Sequence, residues 1–464
     1  MNTENRNLIL AILLSIGILL GFNYFFEPTK SPEKSPILPS LTDSRPHPVV
    51  KAEASTPILR EEALSKSIRI PLKTPNLQGS ISLKGGRVDD IKLVNYHETV
   101  NPQSPEIILF SPFGTKNPYF AEFGWVSSLK DISLPNSDTD WKVQGTTLTP
   151  DSPLILTWDN GHGLLFERII SVDDQYLFTI TDRVENKGSS VVSLHPYGLI
   201  SRGGTPPVSG YYALYEGPIG VLNGSLNEIS YEDISKKNTE LSSIGGWIGM
   251  TDKYWLSALI PDPNAPLEAN FKKTGLGADN TPIYQVDFLG TGQTLAVGSY
   301  ISTTHRLFAG AKVVTLLDAY ETTLNVPKFD RAVDFGWFYL ITKPLFYALT
   351  FINTWVQNFG GSILILTVLV KLLFLPLANK SYKAMARMKR LQPDIAQLQE
   401  RYKDDKVKQN QELMAFYKRH RVNPMAGCLP LVIQIPVFFA LYKVLFISLE
   451  MRHAPFFAWV GSAG

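Results

Sequence analysis

Three stretches of the chain are apolar and almost free of charge: residues 8–26 (LILAILLSIGILLGFNYFF), 361–379 (GSILILTVLVKLLFLPLAN) and 427–449 (GCLPLVIQIPVFFALYKVLFISL). At about 1.5 Å per residue, each can cross a hydrocarbon core of about 30 Å as a helix. The first is longer than the apolar core of a cleavable signal peptide. The sequence after it, Asn23-Tyr24-Phe25-Phe26-Glu27, has no small-x-small cleavage site, so an uncleaved anchor is expected. Residues 335–356 form a fourth, mostly apolar segment. Its more polar positions, Lys343, Tyr347, Thr350, Thr354 and Gln357, recur at steps of four and three, which is one stripe of a helix. Such a stripe predicts an amphipathic helix lying on a membrane surface rather than crossing it.

Between the first and second apolar runs the pattern changes twice. Residues 28–60 carry seven prolines with Ser, Thr, Lys and Glu and have no apolar period, as a flexible tether would. From about Ser67 to Asn325, short runs of period two alternate with turn residues. Residues 80–84 alternate and break at Gly85-Gly86. Residues 154–158 and 164–171 flank Asp159-Asn160-Gly161-His162-Gly163, a hairpin signal. Residues 175–185 read as a further strand with Phe178, Ile180 and Val184 on one face, closed by Asn186-Lys187-Gly188. Short strands at this spacing over such a length predict a large antiparallel β-sandwich, able to bury its own core without disulfides.

Composition changes this picture little. The 464 residues hold 44 Lys/Arg against 42 Asp/Glu, for a formal charge of +2, and one cysteine, Cys428. A disulfide scaffold, a disordered chain and a basic nucleic-acid-binding domain are therefore excluded as descriptions of the whole. The distribution of charge is more informative than its sum. Residues 380–421 hold twelve Lys/Arg against five Asp/Glu, so this loop is basic and the remainder acidic. The positive-inside rule places the loop in the cytoplasm. With three spans, the N-terminus is then inside and the β-sandwich outside.

Lys371 stands eight residues before Asn379, the last residue of its span and the one before Lys380, so about 12 Å inside that end, too deep to snorkel comfortably. None of the three spans contains Asp or Glu, so a hydrated cavity rather than an ion pair is expected around it. Thr367, four residues earlier, shares its helical face, and Gln434 sits in the third span with Pro430 and Pro436. Lys443 lies closer to the outer end, where it can snorkel. In the basic loop, Met385, Met388, Leu391, Ile395, Leu398 and Tyr402 recur at steps of three and four. Lys403-Asp404-Asp405-Lys406 interrupts, and Val407, Leu413, Met414 and Tyr417 make a second stripe. An antiparallel helical hairpin with a Met-rich seam follows, its first helix ending or kinking at Pro393 and its charged faces open to anionic lipids, ribosomal RNA or a partner protein. His162 and His195 occupy turn-like contexts, and no nucleophile elbow, phosphate-binding loop or metal-spaced His/Cys cluster is present. The chain is therefore not expected to be an enzyme or to hold a cofactor or metal.

These segments together resemble the YidC/Oxa/Albino family of membrane protein insertases, in its Gram-negative type. The resemblance rests on the anchor, Val333-Asp334-Phe335-Gly336-Trp337, Lys343-Pro344-Leu345-Phe346, Thr367 and Lys371 with Pro376, residues 388–393 (MKRLQP), Asn423-Pro424, and Gly427-Cys428-Leu429-Pro430 with Gln434 and Pro436. It implies an α-helical polytopic inner-membrane protein with a large all-β, mutarotase-like periplasmic sandwich inserted between the first and second transmembrane helices. The implied activity is insertion and folding of nascent membrane proteins, alone or beside the Sec translocon and the ribosome, through a hydrophilic groove open to the cytoplasm. Lys371, Thr367, Gln434, Pro436 and Cys428 would line that groove, and no cofactor is implied. A membrane-anchored periplasmic carbohydrate-binding or scaffold protein is the alternative. From the residues alone, Cys428 reads as a small apolar packing residue.

The expected organisation is a cytoplasmic N-terminus (1–7), helix 1 (8–26), linker (27–60), β-sandwich (61–326), interfacial helix (327–358), helix 2 (361–379), cytoplasmic hairpin (380–424), helix 3 (427–449) and a periplasmic segment (450–464). The sequence departs from the family in two places. Phe308-Ala309-Gly310-Ala311-Lys312 has Ala311 where relatives often have proline. The family core has five spans, of which this sequence carries two, so a truncated chain is expected.

Overall fold

The computed structural model describes residues 48, 56–129, 131–206, 214–420, 422 and 429–454. Helix 1, most of the linker, Asn423-Pro424 and Cys428 lie outside the described residues. The chain divides into a β-rich unit, which runs to residue 334 and takes in 447–453, and a helical unit within 335–446.

The β-rich unit is a sandwich of two sheets with antiparallel pairing along each. The first sheet has ten strands. Its main path runs Arg69–Lys73, Leu77–Ser82, Val88–His97, Tyr119–Val126, Val192–Gly203, Pro282–Gly290, Pro266–Leu276, Thr239–Ile244. The second has nine: Ser225–Glu228, Gly217–Leu222, Trp247–Thr251, Trp255–Ile260, Tyr300–Ala311, Leu177–Asn186, Leu164–Val172, Leu154–Asp159, Lys142–Gln144. The expected hairpin pairs Leu154 with Ile170 and Asp159 with Leu165. Its turn closes because Gly161 and Gly163 take positive φ, while the Asn160 side chain accepts from the backbone N–H groups of His162 and Leu164. Phe178, Ile180 and Val184 are fully buried, as their shared face requires.

Parity along the strands separates two faces of the ten-stranded sheet. Tyr119, Phe123, Phe288 and Phe271 point inward, toward the second sheet. There the Phe288 ring meets His305 edge-on at 4.8 Å, and the Tyr119 hydroxyl reaches Ser257. Arg168 spans the gap: it pairs with Asp182 (2.6 and 3.1 Å) on its own sheet and donates to the carbonyl oxygens of Phe123 (2.6 Å) and Gly86 (3.4 Å) on the other. The outward face carries Glu122, Tyr197, Leu199, Gln285, Asp287, Asn270 and Lys272, and these too are buried.

The sandwich is less purely β than its pattern suggests, with helices α1 (Arg60–Ser65), α2 (Tyr231–Lys236) and α3 (Val314–Thr323). Residues 327–334 also belong to it rather than to the interfacial segment. Phe329 is buried against Trp247 and Phe308, and Asp334 accepts a hydrogen bond from the Tyr215 backbone N–H. Gly310 needs its missing side chain, because a Cβ there would come within 2.2 Å of the Tyr176 ring.

Burial lowers the His305 pKa to about 4, and its two ring nitrogens have no hydrogen-bond partner among the described residues. An unfolded histidine titrates near 6.5, so between these values the unfolded state binds the extra proton. The stability is complete above pH 6.5 and is lost as the pH falls through 4, by about 3 kcal/mol. A His305→Leu variant is expected to melt with a correspondingly flatter pH dependence over that window; an unchanged slope in thermal melts would remove His305 as the cause.

Candidate functional site

The helical unit contains α4 (Tyr339–Val356), α5 (Phe359–Arg401), α6 (Lys406–Arg419) and α7 (Leu429–Ile447). Helix α4 ends where Gln357 enters the left-handed region and its N–H returns to the Asn353 carbonyl. Asn358 then caps α5 by accepting from the Gly361 N–H at 2.8 Å, so the two helices are joined without a loop. One face of α4, at Thr342, Phe346 and Leu349, is buried. Leu340, Phe351 and Trp355 lie 74%, 65% and 79% exposed on the other side, with Trp337 just before the helix at 85%. The free surface is therefore more aromatic than the polar stripe suggests, and the helix is shorter than the 327–358 expected.

Helix α5 is continuous for 43 residues, through both Pro376 and Pro393. The expected second span and the first arm of the hairpin are therefore one helix, and Pro393, on an exposed side, does not end it. Proline removes one N–H, a loss that the rest of the helical ladder can absorb at an exposed turn. The apolar half of α5 is long enough to cross a membrane and is little buried. Lys371 is exposed among Val368, Leu372 and Leu375, while Thr367 is half-buried and its hydroxyl donates back to the Ile363 carbonyl at 2.8 Å. Gln434 and Pro436 are half-buried on α7. None of the hydrogen bonds or ion pairs among the described residues joins Thr367, Lys371 and Gln434. Lys443, expected to snorkel, is instead buried, its aliphatic stem lying beside Gly336, whose φ is +72°. The long carbon chain of lysine packs like an apolar residue in this position.

Lys403 to Asp405 turn the chain as expected, and Asp405 caps α6 by accepting from the Val407 and Lys408 N–H groups. Met388, Leu391, Ile395, Leu398 and Tyr402 are half-buried along α5, and Gln409 donates across to the Gln399 carbonyl at 2.6 Å. Met385 is off this seam at 51% exposed, as are Val407 and Met414; Ala384 and Phe416 take inward positions instead. A small alanine carries little hydrophobic signal, whereas the neighbouring Met385 carries a strong one without being buried.

The β-rich unit offers a second concavity, a cleft of about 1030 Å³ over the outward face of the ten-stranded sheet, lined by Phe113, Trp125, Tyr197, Arg69, Arg87 and Pro48 among others. Its charges are paired: Arg87 with Glu122 at 2.7 Å, Arg69 with Asp89, and the Tyr197 hydroxyl donates to Glu122 at 2.8 Å. Burial, then the neighbouring Glu122, pushes the Tyr197 phenol well above its ordinary value. His162 and His195 are not in this cleft; His162 is exposed in its hairpin turn, and the His195 ring faces the Gly290 carbonyl.

Two family descriptions cover most of the chain, and they meet within α4 rather than at the boundary between the two units. Residues 69–348 match the YidC periplasmic domain, and residues 351–462 match the 60Kd inner membrane protein family. The membrane protein insertase YidC of Methylobacterium nodulans is 49% identical over 99% of this chain and 80% of its own length. The chain belongs to the YidC insertase family. The YidC proteins of Bradyrhizobium diazoefficiens and Rickettsia bellii are 48% and 47% identical over 99% of this chain and 80% and 82% of theirs. Among solved structures, a galactose mutarotase-like protein from Lactobacillus casei covers 52% of the chain with a TM-score of 0.37 and 11% identity. At that similarity, the two-sheet architecture rests on this YidC-family chain's own strand order.

Proposed function

We propose that this inner-membrane insertase lowers the cost of moving a substrate's polar outer segment through the bilayer by receiving it in a hydrated groove at Lys371, Thr367, Gln434, Pro436 and Cys428. The observation that carries the reading is Lys371 itself, one exposed cation among exposed leucines and valines in the apolar half of α5. A charge at mid-bilayer costs about 2.5–3.5 kcal/mol on insertion scales, and a lysine there attracts both water and a substrate carboxylate. The substrate's acidic tail therefore enters solvated and paired, while its apolar segment passes sideways into lipid. No bond is made or broken. Nascent membrane proteins are the substrates.

In this reading residues 1–7 and the α5–α6 hairpin face the cytoplasm, and the β-rich unit and residues 450–464 face the periplasm. The exposed Leu340, Phe351 and Trp355 of α4 enter the outer headgroup layer. The basic faces of α5 and α6 meet anionic lipids or the ribosome, and the Sec translocon works beside the same groove. The test is a pair of deletions in the gene, expressed in cells depleted of their own insertase, with a small single-span substrate. Insertion is expected to survive loss of most of residues 67–325 and to fail on loss of residues 385–420. The opposite pattern would place the activity in the sandwich and end the groove reading.

A further inference from the structure

Pro48 lies deep in the segment whose composition reads as a free tether, yet it is buried. Its carbonyl oxygen accepts from Gln285 Nε2 at 2.8 Å and from Lys272 Nζ at 3.1 Å. Both donors stand on the outward face of the ten-stranded sheet, directly opposite each other on Pro282–Gly290 and Pro266–Leu276. Two residues along from Gln285 on the same strand, Asp287 ties them together: Oδ1 lies 2.8 Å from Lys272 Nζ and 2.7 Å from Gln285 Nε2, and Oδ2 accepts from Asn270 at 3.3 Å. Gln285 and Asp287 are completely buried and Lys272 is 9% exposed. Burial raises the Asp287 carboxyl pKa against the pull of the neighbouring ammonium.

This is an unusual use of a sheet face turned away from the sandwich core. Polar groups there ordinarily keep their water, and burying them without partners costs several kcal/mol on apolar transfer scales. Here two donors, oriented by a buried carboxylate, converge on one backbone carbonyl. A backbone carbonyl is common to every polypeptide, and Pro48 brings no N–H that would need its own acceptor in the same place. Residues 45–48, Arg-Pro-His-Pro, favour an extended conformation in which carbonyls point outward and are free to accept. Pro48 also lines the cleft with Arg69, Arg87, Phe113 and Tyr197, so the site continues past the carbonyl into a space of mixed polar and aromatic lining.

We propose that Asn270, Lys272, Gln285 and Asp287 form a binding site for an extended, proline-bearing polypeptide segment, and that the chain's own residues around Pro48 are its resident ligand. Pro48 is then held by the sheet rather than free. A second polypeptide gains the site only by displacing it, against an effective concentration of about a millimolar.

The experiment is lysine acetylation with limiting reagent on the full chain in detergent, read residue by residue by mass spectrometry. Lys272 is expected to be protected in the native chain. Replacing residues 44–50 by a Gly-Ser stretch of equal length is expected to raise its modification about tenfold, as the covering carbonyl is lost. A synthetic peptide of residues 44–50, SRPHPVV, restores protection in the replaced chain, and a Gly-Ser heptamer does not. Lys312, buried within the sandwich, must stay protected throughout as the measure of folding. Should the full replacement unfold the unit, substituting only His47, Pro48 and Val49 by glycine gives the same readout. Equal protection of Lys272 with and without the native segment, or restoration by both peptides alike, overturns the proposal.

Discussion

Lys371→Glu is expected to reduce insertion of a substrate with an acidic outer tail by about tenfold or more, while a substrate with an uncharged tail loses little. A tenfold change corresponds to about 1.4 kcal/mol, a modest demand on a reversal from attraction to repulsion between two charges in contact. Lys371→Arg keeps the charge, adds a planar fork, and is expected to insert at least as well as the native chain. Lys371→Gln separates hydration from charge, because it keeps a polar head without the charge. Protease protection of the tail, measured in depleted cells with the two substrates side by side, reads all three variants. Equal losses for acidic and neutral tails would show that Lys371 acts on the fold of α5 rather than on the substrate's charge.

The second large effect belongs to the sandwich. Asp182→Asn is expected to destabilise the β-rich unit by about 3–5 kcal/mol, because Arg168 stays buried with its charge uncompensated. Arg168 and Asp182 are 2% and 4% exposed, and the guanidinium already spends its remaining donors on the Phe123 and Gly86 carbonyls across the gap. The double variant Arg168→Met with Asp182→Leu removes both charges and is expected to recover most of the loss. Chemical denaturation of these two variants, with Arg168→Met and Asp182→Leu singly, decides it; additive losses would mean that the two side chains are not a pair.

The features that were readable from the sequence are those with a period. The apolar half of α5, the alternating strands, the Asp159–Gly163 turn and the α5 seam through Leu391, Leu398 and Tyr402 follow local signals in the sequence. The features that were not readable arise from distance. Arg168 meets Phe123 and Gly86 because two sheets close on each other, and nothing near any of the three residues announces it. Pro48 is the sharpest case. A proline-rich, polar neighbourhood reads as a flexible tether, and nothing in it says whether a sheet more than two hundred residues later in the sequence holds one of its carbonyls. Pro393 shows the converse, a strong local signal overruled because one missing hydrogen bond is a small part of a ladder of forty-three residues. Whether Lys371, Thr367, Gln434 and Pro436 converge depends on how helices pack, to which periodicity contributes only the facing sides.

That unbroken helix gives angle a mechanical meaning. At about 1.5 Å per residue, the stretch from Lys380 to Arg401 reaches about 30 Å beyond the apolar half, so a tilt of about 10° swings its tip sideways by about 5 Å. Pro376 and Pro393, about 25 Å apart along the axis, are where the backbone lacks a donor and bending is easiest. The basic arm thus continues the apolar half as one rod, with Pro376 before its root and Pro393 within it as the places where it bends most easily.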